Sequence, residues 1–182
     1  EMDSLLPLIR LTRETYPNLL VAVESRVAAE AAAAVTAGAN LLTGPGRALW
    51  PVAADTGLPF VITHDQAIDG GQDVLSTVAR FFWAAMNEAI ALGVREEQII
   101  LDAGFGLRKT GEQERLIIRR LRELTGFGRP LLQSLPSQEN GEESAATISV
   151  SIANGADIVR VHNVADAVRC ASMTDLLVRA TP

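Results

Sequence analysis

The residues best placed to do chemistry stand at the ends of short apolar runs. In Ile99-Ile-Leu-Asp-Ala-Gly-Phe-Gly-Leu-Arg-Lys-Thr110 such a run leads straight into Asp102 and then into a loop with two glycines. A buried parallel strand delivers an acid to the C-terminal rim of an α/β sheet in this way. Lys109 and Thr110 close the loop. In Asp157-Ile-Val-Arg-Val-His162 an arginine and a histidine lie two residues apart. On a strand they would face the same side, so Arg160 and His162 can reach one anionic group, the arginine with a planar fork of donors. Glu24, Thr43, His64 and Ser134 follow or end other short apolar runs. Plainer readings exist for these residues. Asp102 can cap the turn after its strand, Arg160 can pair with an acid such as Glu24 or Asp102, and His64 can satisfy a loop.

Those runs imply the elements that position them. Leu5, Leu6, Leu8, Ile9 and Leu11 recur at helical spacing until Tyr16-Pro17-Asn18, which predicts a helix over 4–16. Strands are expected over 19–23, 40–42, 60–63, 98–101, 130–133 and 157–161. Between and after them, helices are expected in an alanine-rich stretch ending at Gly38 and over 48–56, 73–92, 112–124, 142–153 and 165–178. Six alternating βα units imply a parallel sheet with right-handed crossovers, either a doubly wound open sheet or a (β/α)8 barrel. All six strands carry polar residues just past one end, which favours the barrel. The arithmetic falls two units short of eight, and the chain opens on a helix with no strand before it.

With 182 residues and 48% hydrophobic content the chain can bury a substantial core, and residues 1–182 read as a single domain. A net charge of −6, scattered basic residues and few aromatics argue against a nucleic-acid surface. No apolar run is long enough to span a membrane, and the N-terminal residues lack the layout of a signal peptide. The single cysteine, Cys170, cannot form an internal disulfide and is expected to be a small buried residue in a reducing compartment, the cytoplasm. The expected partner is a small molecule or another protein.

The two motif-bearing stretches also resemble a known family. Ile99 to Thr110 resembles the D-P-G-x-G-F-G-K-T segment of dihydropteroate synthases, and Gly155-Ala-Asp-Ile-Val-Arg-Val-His-Asn-Val164 resembles their closing G-A-x-I-x-R-V-H-D-V strand. Val21-Ala-Val-Glu-Ser25 sits where the family has S-I-D-T, Asn40 to Gly44 where it has I-I-N-D, and Thr63-His64 where it has M-H. The resemblance covers nearly the whole chain. It implies a pterin-binding TIM barrel, (β/α)8, with its first two strands absent from this chain. On that basis Glu1-Met2, which matches the start of a family helix, reads as an internal point of a longer chain. The 19–23 and 157–161 strands should then flank a gap roughly 10 Å wide.

The family joins 6-hydroxymethyl-dihydropterin pyrophosphate to p-aminobenzoate and releases pyrophosphate, with magnesium. Carried over by position, the resemblance implies substrate-binding roles for Asp102, Arg160, His162, Glu24, Thr43, His64 and Lys109, with no catalytic residue assigned. It implies no protein-held metal and no tightly bound cofactor, magnesium arriving with the pyrophosphate, and a homodimer through the later helices. Departures from the pattern point to an eroded pocket. Glu24 replaces an aspartate, Thr43 an asparagine and Gly44 an aspartate, while Leu135 and Pro136 replace the arginine and lysine of S-R-K-S. Ala103, Leu107 and Arg108 replace proline, phenylalanine and glycine, and Asn163 replaces an aspartate. Losing one buried polar or charged partner costs a ligand about 2–5 kcal/mol. An enzyme of folate biosynthesis is therefore weighed against a non-catalytic paralogue that binds a ligand or a partner subunit. A corrinoid-linked methyltetrahydrofolate methyltransferase ranks third, because it tolerates Pro136 but leaves Arg160-Val-His162 unexplained.

Overall fold

The six apolar runs all become parallel strands. In the computed structural model, which describes residues 2–135 and 141–179, they are β1 (Ala22–Glu24), β2 (Leu41–Thr43), β3 (Phe60–Thr63), β4 (Ile99–Asp102), β5 (Leu131–Ser134) and β6 (Ile158–Arg160). Seven helices alternate with them: α1 (Met2–Thr15), α2 (Ala28–Ala37), α3 (Trp50–Thr56), α4 (Val74–Ala91), α5 (Gly111–Arg120), α6 (Gly141–Ala153) and α7 (Val164–Val178). Sheet order follows chain order, as expected of consecutive βα units.

Most expected boundaries shift by a residue or two, three of them as follows. The 19–23 run enters the sheet only at Ala22, because the amide of Val21 is taken by the Asn40 side chain at 2.7 Å and the Leu19 carbonyl by Arg13 at 2.7 Å. The 112–124 helix ends at Arg120 and continues as a 3-10 segment, Leu121–Phe127, which closes on left-handed Gly128. The 157–161 strand stops at Arg160, so His162 lies outside the strand.

The chain forms two compact units, Glu1–Thr63 with Trp83–Ile100, and His64–Phe82 with Leu101–Pro182. In the first, β1 pairs with β2 so that Glu24 stands opposite Thr43, and β2 pairs with β3 so that Thr43 stands opposite Val61. Leu42, Phe60, Ile62 and Ile99 are buried strand residues. On α2 the buried positions are Ala31, Ala34 and Ala37, small enough for the helix to lie close to its neighbours. Buried Gln98 donates to the carbonyls of Ala53 and Leu58, both at 2.8 Å, and so fixes the entry to β4.

In the second unit β4 pairs with β5 and β5 with β6. These ladders set Asp102 opposite Leu132 and Ser134 opposite Arg160. Leu135, Ile148, Ile152 and Ala167 form one buried cluster with Val159, Val161, Cys170 and Ala171 packed against it. Cys170 is half-buried there, its thiol 3.2 Å from the Ala145 carbonyl. Thr110 caps α5 through a reciprocal box with Gln113. Among the described residues no helix is long and apolar enough to cross a membrane.

Candidate functional site

The second unit carries a buried carboxylate at the C-terminal end of its strands. Asp102, 5% exposed, ends β4, and its Oδ1 accepts from the Gly104 amide at 2.7 Å. This is the turn-capping role, and it occupies one oxygen. The other, Oδ2, has among the described residues only a long contact to the Ser134 hydroxyl at 3.4 Å, which leaves it able to accept from a ligand. Ser134 was recognisable in the sequence only as one more strand-end polar residue. Its place at the end of β5 lets its hydroxyl reach across to Asp102 on β4. Burial pushes the Asp102 carboxyl up to about 6, against the opposing pull of Gly104, Ser134, Lys109 and Arg160.

Lys109 and His64 lie on the two segments next to this carboxylate. The Lys109 ammonium donates to the carbonyls of His64 at 2.8 Å and Leu107 at 3.1 Å, tying the segment after β3 to the loop after β4. Burial lowers the Lys109 ammonium to about 8, with Asp102, Asp65 and Glu114 pulling the other way, so it remains largely a cation at neutral pH. His64 is fully buried, its ring edge-on to Phe81 at 4.9 Å, and neither ring nitrogen has a hydrogen-bond partner among the described residues. Burial first, and the Lys109 charge second, hold it down to about 4, so the imidazole is neutral. The loop itself contributes through its backbone: the His64 amide donates to the Asp102 carbonyl at 2.9 Å. Gly104 has φ 73°, and a β-carbon there would lie 2.0 Å from the His64 carbonyl oxygen.

Arg160 ends β6 at the same end of the sheet as Asp102 and is exposed, its charge felt by the Asp102 carboxylate. His162, also exposed, sits in the connection to α7, so strand alternation does not by itself put it beside Arg160. After Ser134, the buried Leu135 brings no cation to this end of β5, and Pro136 lies outside the described residues. In the first unit, Glu24 and Thr43 are register partners at the C-terminal ends of β1 and β2, Glu24 exposed and Thr43 half-buried. There the Ser25 hydroxyl donates to Glu30 at 2.8 Å, fixing the turn that follows Glu24.

The pterin-binding enzyme family model matches residues 1–162. The chain belongs to the pterin-binding enzyme family. It is 31% identical to a dihydropteroate synthase of Bacillus subtilis over 97% of this chain and 68% of that protein. It is 29% identical to one of Clostridium beijerinckii over 98% and 73% respectively. A crystal structure of the Clostridium difficile dihydropteroate synthase with pteroic acid superposes with a TM-score of 0.91 at 26% identity, covering 99% of this chain and 75% of that one. The Yersinia pestis enzyme with a pterin-sulfa conjugate gives 0.90 at 25% identity, covering 99% and 76%. The fold is thus the α/β barrel of the pterin-binding family, of which this chain supplies six βα units.

Proposed function

We propose that the chain is a dihydropteroate synthase-type protein of folate biosynthesis, binding 6-hydroxymethyl-dihydropterin pyrophosphate at Asp102. The observation that carries this reading is the division of labour in the Asp102 carboxylate. One oxygen is committed to the Gly104 amide, and the other looks into a buried setting beside Ser134. An ionised Oδ2 would accept a ring N–H of the pterin, and the Lys109 cation would keep that oxygen charged. Arg160 and His162, on the same end of the sheet, would take the pyrophosphate. In the reaction the amino nitrogen of p-aminobenzoate forms a C–N bond to the exocyclic carbon, the C–O bond breaks, and pyrophosphate leaves with the electron pair while the amine sheds a proton. Guanidinium donors held at the leaving group stabilise the charge that develops there.

Among the described residues no three His, Cys, Asp or Glu side chains gather to hold an ion. We take magnesium to enter as a companion of the pyrophosphate, as the family resemblance implies. The assembly we propose is a cytoplasmic homodimer. Its support is a set of exposed apolar side chains on α7, including Val168, Met173, Leu176 and Leu177. Titration of the pterin pyrophosphate, followed by its fluorescence, tests the reading. Saturable binding that Asp102→Ala abolishes supports it, and no binding to the wild-type chain refutes it.

A second reading, a non-catalytic paralogue, is favoured by the apolar Leu135 beside Ser134 and by Thr43 in place of a two-sided amide. It predicts pterin binding without turnover of p-aminobenzoate. A methyltetrahydrofolate-type methyltransferase remains the third reading, tested by methyl transfer to a corrinoid.

A further inference from the structure

The loop from β4 to α5 passes through three left-handed positions, Gly104 at φ 73°, Gly106 at 77° and Arg108 at 54°. Arg108 is the one residue other than glycine with positive φ among those described. A β-carbon makes that conformation costly, and glycine avoids the cost. The surroundings enforce it. The Leu107 amide closes a turn on the Gly104 carbonyl at 3.1 Å, the Lys109 ammonium grips the Leu107 and His64 carbonyls, and Thr110 is locked in the cap of α5. Nothing local repays the strain, because the Arg108 side chain is exposed and makes no hydrogen bond or ion pair among the described residues. An arginine at a site where glycine would fold more easily, with its guanidinium unengaged among the described residues, has five donors to offer a ligand.

The same loop is anchored to the carboxylate pocket at both ends, through the Gly104 amide on Asp102 and through Lys109 on His64. The strand next to β4 supplies no cation there, since the residue after Ser134 is the buried Leu135. We infer that Arg108 is an anion-recognising residue, held on a left-handed backbone in the loop that runs from Asp102 to α5, where it would engage the phosphate-bearing end of a ligand whose ring lies at Asp102. This rests on the pterin reading for the identity of the ring, but not for the anion. Arginine suits the role because its planar fork matches phosphate oxygens two at a time.

The test compares the wild-type chain with Arg108→Gly, Arg108→Asn and Arg108→Lys. Calorimetry is run with inorganic pyrophosphate and separately with 6-hydroxymethylpterin, which lacks phosphate. Expected are a raised melting midpoint for Arg108→Gly, pyrophosphate affinity roughly tenfold weaker in Arg108→Gly and Arg108→Asn, partial retention in Arg108→Lys, and unchanged affinity for the pterin. Asparagine tolerates the left-handed region without the charge, so it separates backbone relief from anion recognition. Equal pyrophosphate affinity in all four chains overturns the inference, as does a wild-type chain that ignores pyrophosphate. A lower melting midpoint for Arg108→Gly overturns it too, by revealing a local structural role for the side chain. The pterin arm stands apart: wild-type binding of 6-hydroxymethylpterin without pyrophosphate binding sinks only the Arg108 role, whereas pyrophosphate binding without pterin binding sinks only the pterin reading.

Discussion

At the scale of single residues, two buried ionisable groups oppose each other in the same pH range. Asp102 is raised from 3.8 to about 6, so between those values the folded chain binds more protons than the unfolded one, and its contribution to stability falls as pH rises through the window. His64 is lowered from 6.5 to about 4, so over nearly the same window the unfolded chain binds more protons and stability rises with pH. Each swing is about 3 kcal/mol in size, and the two largely cancel in the wild-type chain. Asp102→Asn should therefore unmask a rise in stability between pH 4 and 6.5, and His64→Phe should unmask a fall between pH 4 and 6. Denaturant melts across that range check both, and a flat profile in either variant contradicts the buried placements. The ring nitrogens of His64, orphaned beside Phe81, also predict that the phenylalanine variant folds without loss at neutral pH.

At the scale of elements, the loops after β3 and β4 are built into one another. The Gly104 backbone approaches the His64 carbonyl so closely that Gly104→Ala should cost more than about 2 kcal/mol, because both the contact and the positive φ are violated. Urea denaturation reads this directly, and a loss under 0.5 kcal/mol would mean that the approach is looser than described. Strand β1 tells a different story. It stands at the end of the sheet order, its approach is exposed at Leu19 and Leu20, and an apolar cleft of about 310 Å³ opens between it and α1, lined by Leu5, Leu8, Ile9, Val21, Val23 and Glu24. Amides at the edge of a sheet lack partners on one side. Hydrogen exchange on the monomeric chain should find residues 19–23 far less protected than 99–101. Equal protection would mean that β1 needs no further partner.

At the scale of the molecule, the 182-residue chain used by itself should turn over p-aminobenzoate at most feebly. Leu135 and Thr43 stand where the family resemblance implies a cation and an amide, and the chain spans 68% of the length of the Bacillus subtilis relative. Steady-state assay with pterin pyrophosphate and p-aminobenzoate checks this, ordinary enzyme rates being the contrary outcome. The exposed apolar side chains of α7 should bring two copies together, so sedimentation is expected to show a dimer that Leu176→Glu with Leu177→Glu converts to monomer. A monomeric wild-type chain at micromolar concentration would refute the pairing.

Sequence alone determined the alternation of elements, because buried parallel strands must be continuously apolar and each must be followed by a crossover. The run into Asp102 and the run into Arg160 were legible for that reason, down to the strand end on which each sits. The family, too, was legible from the two motifs in order. Tertiary structure decided everything that depends on what lies opposite. A side-chain contact across β4 and β5 brought Ser134 to Asp102, burial turned His64 into a neutral packing group, and β6 ends at Arg160, two residues short of His162. The left-handed turn at Arg108 was hinted at only by the glycine that the resemblance implies there, and the Gly104–Leu107 turn, the Thr110 cap and the clamp of Lys109 on the facing carbonyls hold an arginine in it. Local pattern fixes which face of an element is apolar, whereas the protonation, pairing and strain of a side chain are set by neighbours far away in the chain.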